Sequence, residues 1–364
     1  MSASTGSEAP TSPSPEVGAA PAHRSGVGAG RGVHHLGYRG WSGVRTSGWS
    51  RWMVISQVGV QRAWQSQWLK RMLFFAWLPA VWFGFGFFLW EQATQYPEWQ
   101  QLLRQLLRNF PPSPPIDVIQ EAVRSDDLTE SRHLFWAGLL QMFFRYPQAV
   151  LMVLVVGLIS PPLISQDIRS RAFLLYFSRP LTRSEYVLGK MGSLWTFLCL
   201  ISGVPALVLY FIGVMLSPSI SVVLTTWDLP LRIIGATLVL ILPTSALALC
   251  ISSLTKESRY AGFAWFAVWI LGWFTYGAVT SAEGFNAQQA ARHQQFPFPE
   301  AEVAVPSESA WTHLSLYHTL GRVQSWVFGF DQFEDVVASI AILVLLTSIS
   351  LGVTYYRISA PMRV

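Results

Sequence analysis

Residues 167 to 190 read DIRSRAFLLYFSRPLTRSEYVLGK, and they lie between two apolar runs, Pro147 to Ser165 and Met191 to Leu216. Neither run contains Asp, Glu, Lys, Arg or His. About 20 such residues, each adding about 1.5 Å of helical rise, cover the roughly 30 Å of bilayer hydrocarbon. Working outward, four more runs meet the same standard: Met72 to Trp90, Ile233 to Ser253, Tyr260 to Thr280 and Val336 to Tyr356. The chain therefore reads as an all-α integral membrane protein with six transmembrane helices. A composition of 51% apolar, 14% aromatic and only 12% charged residues agrees. The second run has two possible starts, because Leu134 to Phe144 is also apolar and only Arg145 and Tyr146-Pro147 interrupt it. In the longer version the helix starts near His133 and Arg145 snorkels to the outer surface.

Six crossings put both termini on one side. That side, holding residues 1–71, 166–190, 254–259 and 357–364, carries 17 of the 25 Lys and Arg residues. Excess Lys and Arg marks the cytoplasmic face, so both termini and the 167–190 stretch are expected there. Residues 1–47, rich in Ala, Ser, Pro and Gly, read as a disordered cytoplasmic tail and not as a cleavable signal peptide. Residues 48–71 read as an elbow helix in the cytoplasmic headgroup layer, with Val60, Trp64, Trp68 and Met72 forming an apolar stripe. The membrane domain spans 72–356, and 357–364 form a second tail.

Within the 167–190 stretch, Ile168, Ala172 and Leu175 recur at helical spacing, and Asp167 with Arg171 makes an acid-before-base pair one turn apart. One short amphipathic helix is expected from Gln166 to Phe177. Arg179-Pro180 ends it, since proline lacks an amide hydrogen and holds its predecessor out of the helical region. Thr182 and Glu185 then supply a capping box for a second helix that runs through Tyr186 and Lys190 into the third span. Two readings of this helix, break and helix stand side by side: a lever that transmits a push into the membrane, or a basic loop that fixes topology.

The pattern Asp167, Arg169, Arg171, Ala172, Leu175, Tyr176, Ser178, Arg179, Pro180, Leu181, Arg183, Tyr186, Gly189 and Lys190 resembles permease subunits of ABC-2 type transporters, and within them the branch named for multi-copper enzyme maturation. The resemblance extends more loosely over residues 50 to 360. It implies a coupling helix that docks on a separate ATP-binding cassette ATPase, with Asp167, Arg169, Arg171, Tyr176, Arg179, Pro180 and Arg183 as the coupling residues. ATP and magnesium would belong to that partner, with no cofactor in this chain. The permease would be a homo- or heterodimer in a bacterial inner membrane, in contact with lipid and not with nucleic acid. The second and fifth spans would help line its path, so Phe266, Trp269, Trp273 and Tyr276 are candidate cargo contacts; lipid contact or core packing explains the same side chains.

Gly189-Lys190 is not a phosphate-binding loop: Ser184 stands where its first glycine belongs, and Met191 follows in place of Ser or Thr. A transport subunit without its own ATPase site is expected. The six cores lack the ionisable residues that ion-coupled carriers keep at membrane depth. Ser165, Ser193 and Ser245 suit helix-backbone bonding better than nucleophilic chemistry, and Cys199 and Cys250 suit core packing. His313 and His318, five apart, do not share one helical face as a metal pair would, so no metal is expected. On the outer side, Trp99, Leu102, Leu103, Leu106, Leu107 and Phe110 mark one helix face, and Ile116, Ile119 and Val123 mark another beyond the prolines at 111–115. Residues 282–308 read as loop, and 311–330 as either short helices capping the exit or an interfacial aromatic belt. A non-transporting membrane scaffold is the alternative to the permease.

Overall fold

The computed structural model describes residues 50–108, 114–124, 128–178, 181–293 and 310–359. The tail at 1–47, Phe110, Arg179, Pro180 and most of 357–364 lie outside them. The described residues are helical nearly throughout. In chain order the helices are α1 (Arg51–Trp64), α2 (Gln67–Gln95), α3 (Pro97–Arg108), α4 (Pro114–Arg124), α5 (Leu128–Phe143), α6 (Ala149–Ile159), α7 (Pro161–Arg169), α8 (Phe173–Phe177), α9 (Arg183–Leu198), α10 (Val204–Leu216), α11 (Val222–Thr225), α12 (Leu229–Leu254), α13 (Ser258–His293), α14 (Leu316–Phe328) and α15 (Phe333–Ser359). Six assemblies of these are long and apolar enough to cross a membrane: 67–95, 131–169, 183–216, 229–254, 258–282 and 333–359. All six expected spans are present. The second takes its longer form, built from α5, a π-helical turn around Pro147, α6 and α7.

Two buried clusters hold the bundle together. One, nearer α8, packs Leu69, Met152, Tyr186, Leu194, Leu249 and Trp265. The other, toward the opposite face, is aromatic: the Phe87 ring stands 5.4 Å from Trp136, and Trp90 stacks at 4.3 Å on Phe135.

Four local expectations are corrected. The elbow helix expected over residues 48–71 ends sooner, at Trp64, and Ser66 caps α2 by accepting a hydrogen bond from the Leu69 amide at 3.4 Å. With that break the Val60 to Met72 stripe is not one face, and Trp68 is 69% exposed. What α1 presents to the bundle is Trp52, Ile55, Ser56 and Gly59. It runs parallel to α9, with Trp52 and Ile55 beside Gly189, Ser56 beside Gly192 and Trp64 stacked on Phe197. Small residues on both helices permit that close approach.

Second, the fifth helix continues past Thr280 to His293, into the segment expected to be loop. Third, Arg145 does not reach free to the outer surface. It donates to the Tyr317 carbonyl and lies over the Tyr317 ring at 3.9 Å, because α14 has folded against it. Of the two readings of residues 311–330, short helices are what is present: α14 is wedged among α12, α13 and α15, burying Thr319, Leu320, Val323 and Phe328. Arg232 holds its other end by donating to the Val327 carbonyl at 3.2 Å. Fourth, the amphipathic helix expected from Gln166 to Phe177 is in fact two helices, and its replacement forms the site described next.

Candidate functional site

The second span bends before it ends. Pro161 and Pro162 lack amide hydrogens, so α6 stops at Ile159 and α7 starts anew. Ser252 of α12 fills the gap: its hydroxyl donates to the Pro161 carbonyl at 2.8 Å and accepts from the amides of Ile164 and Ser165 at 3.1 and 3.2 Å. The Ser165 hydroxyl also returns to the Pro161 carbonyl and meets Ser258 at 3.1 Å. These serines bond backbone, as do Ser193, which donates to Gly189 and Ser56 carbonyls, and Ser245, which donates to Leu242. The result anchors α7 to α12 and α13.

Beyond α7 the chain turns at residues 170–172, with Arg171 at a φ of 54°, the left-handed region that non-glycine residues seldom occupy. The turn separates Asp167 from Arg171, and the expected pair is not made. Asp167 faces inward instead. It pairs with Lys190 at 2.6 Å and accepts from the Tyr186 hydroxyl at 2.7 Å, and all three side chains are buried. The sequence pairing failed because a local pair on an exposed helix is worth only about 0.2–0.5 kcal/mol. A buried carboxylate with two charge-assisted partners outweighs it.

The clamp ties the end of the second span to the start of the third. Between them α8 turns Phe173 inward against Tyr186 at 5.5 Å, with Tyr176 also 5.5 Å from Tyr186. Leu175, expected on the inner stripe, is 74% exposed, and Arg171 is exposed beside it. Burial, and then the charge of Asp167, push the Tyr176 hydroxyl above its usual pKa. The capping box is formed: Thr182 accepts from the Glu185 amide at 3.2 Å, and Glu185 accepts from the Thr182 amide at 2.7 Å. α9 thus starts at a fixed point.

The other expected coupling residues go elsewhere. Arg169 pairs with Glu257 in the α12–α13 turn at 3.2 Å, and Arg183 donates to Ser359 at the end of α15 at 2.8 Å. Arg62 of α1 donates to Gln166 at 2.9 Å. The end of α1, the α12–α13 turn and the end of α15 are therefore tied to the junction, and a cavity of about 420 Å³ lies between α1 and it, lined by Val58, Arg62, Leu158, Tyr176 and Lys190. Tyr186 and Lys190 belong to the sequence motif, but the sequence alone gives them no role. Their spacing of four on one face of α9 was the available signal.

Phe266, Trp269, Trp273 and Tyr276 share one face of α13. Phe266 lies against Gly157, Trp269 is 2% exposed, Trp273 meets Tyr317 edge-on at 6.2 Å, and Tyr276 stacks on His318 at 5.1 Å. The adjoining face, with Phe263, Ile270 and Phe274, is open. His313 and His318 do come together, with ring centroids 6.0 Å apart, because a 3-10 turn and the Ser315 cap intervene where one helix was assumed. Among the described residues no group of three or more His, Cys, Asp or Glu assembles as a metal site.

A family model described as ABC-2 family transporter protein matches residues 119–359, a stretch that contains both the clamp and α14. No curated protein matches the chain. By that match the chain belongs to the ABC-2 transporter family, as a multi-pass membrane permease component of an ABC transporter.

Proposed function

We propose that this permease is driven by a separate ATP-binding cassette subunit that docks on α8 and the 170–172 turn, and that docking movements reach the second and third spans through the clamp of Asp167, Lys190 and Tyr186. The clamp is the observation that carries the proposal. A helix of five residues with an exposed Leu175, anchored at both ends to spans, moves only if the spans move with it. ATP and magnesium belong to the partner, and no cofactor is assigned to this chain. Arg179 and Pro180 lie outside the described residues, and their part in coupling rests on the sequence motif.

The excess of Lys and Arg on this face supports a cytoplasmic location for α8 and both termini, in a bacterial inner membrane. The permease acts as a homo- or heterodimer. We assign the cargo route to α13, a reading supported by the part of their surface that Phe266, Trp273 and Tyr276 keep open. Reconstitution of the permease with its ATPase tests the coupling. Complexes carrying Pro180→Ala, or Asp167→Asn together with Lys190→Met so that neither charge is left buried alone, are expected to assemble yet to lose the change in ATP hydrolysis that the permease imposes. Unaltered stimulation in both would overturn the proposed coupling role.

A further inference from the structure

Two cavities meet on the face opposite α8. The larger, about 690 Å³, lies between α2, α3, α4 and α5 and is walled by side chains such as Phe83, Leu106, Ile116, Leu139 and Met142, with no charged residue in its lining. Trp82 and Phe85, both exposed, line it as well. The smaller, about 350 Å³, is lined by Arg104, Arg108 and Arg124 with Leu107, Gln120 and Val123, and no acidic residue contributes. Leu107 walls both cavities, and Gln120 donates to its carbonyl at 3.3 Å.

We propose that the pair forms one binding site for a phosphate-headed lipid, its hydrocarbon tail in the larger cavity and its phosphate on the three arginines. An apolar cavity of this size holds water poorly, and left empty its walls lose their dispersion contacts. A hydrocarbon chain restores them. Among the described residues no carboxylate pairs with Arg104, Arg108 or Arg124. Guanidinium groups present planar donor pairs that match phosphate oxygens. A free anion would leave the apolar cavity unfilled, and a neutral lipid would leave three cations unmatched, so the joined cavities favour a ligand with both parts. The site stands independently of whether an ATPase docks at α8.

Native mass spectrometry of the full chain in detergent, titrated with phosphatidic acid, diacylglycerol or inorganic phosphate, tests this. Phosphatidic acid should bind at least about tenfold more tightly than either of the others, the equivalent of one charge-assisted contact or more. The triple variant Arg104→Ala, Arg108→Ala, Arg124→Ala should lower phosphatidic acid binding to the level of diacylglycerol. Leu106→Trp, which fills the larger cavity and keeps the arginines, should lower it as well. Equal binding of inorganic phosphate would mean a free-anion site, and equal binding of diacylglycerol a tail groove that does not read the head. Either result, or undiminished binding by both variants, would overturn the proposal.

Discussion

The Lys190 ammonium of α9 stands 2.6 Å from the Asp167 carboxylate of α7, both side chains nearly closed off from solvent, so the ends of two spans are joined by one buried ion pair. Removing one partner from such a pair leaves an uncompensated buried charge, at a cost of about 3–5 kcal/mol. Lys190→Met should therefore lower thermal stability sharply, and adding Asp167→Asn should restore more than half of the loss. Tryptophan fluorescence melts in detergent read both. Additive losses would show that the two residues do not act as a pair.

Gly189 and Gly192 set the distance between α9 and α1. A Cβ at 189 would lie 2.6 Å from the Ile55 Cβ and 2.9 Å from the Trp52 carbonyl, and a backbone atom cannot swing away. Gly189→Ala should cost about 1–3 kcal/mol through this overpacking. It should also raise protease access to α1, while an alanine at Gly277, which has open space around it, changes neither.

Burial, and then the charges of Arg145, Arg322 and His313, lower His318 from 6.5 to about 4. The folded protein thus takes up this proton later than the unfolded chain does. Stability from this group is full above pH 6.5 and is lost as pH falls toward 4. Melting temperature should decline over that window, and His318→Gln should flatten the decline. Equal slopes in the two proteins would contradict the assignment.

Arg145 fastens the start of α14 through the Tyr317 carbonyl. Arg145→Met leaves that carbonyl without its donor, at a cost of about 1–3 kcal/mol. Hydrogen exchange in α14 should speed up, with the α7–α9 junction unchanged. Gly321→Val should do the same with Arg145 present, because a Cβ there would occupy the position of the guanidinium.

The spans were legible because an uncharged run of bilayer length admits few other folds. The Thr182–Glu185 box was legible because capping is a local contact. Contacts between distant segments were not. Asp167 had a plausible partner four residues away, and only the left-handed turn at Arg171 sends it to Lys190. The break at Pro161 lies inside an apolar run, and the serine that makes it tolerable, Ser252, comes from another span. The buried face of α1 is written in Ser56 and Gly59, small residues that a search for apolar stripes passes over. Arg145 was legible as a membrane-edge cation, but its partner lies on α14, whose placement no periodicity encodes.

The most direct test of docking at α8 is a pull-down of the tagged full-length chain from its native membranes in mild detergent. Leu175 is 74% exposed and carries no bundle packing, so Leu175→Glu should preserve the fold while placing a charge on the docking surface. A soluble Walker A polypeptide is expected with the wild type and is expected to fall at least about tenfold in Leu175→Glu, the equivalent of about 1.4 kcal/mol. Its absence from the wild type, or equal recovery with the variant, would contradict ATPase docking at this helix and leave the basic junction as a topology signal.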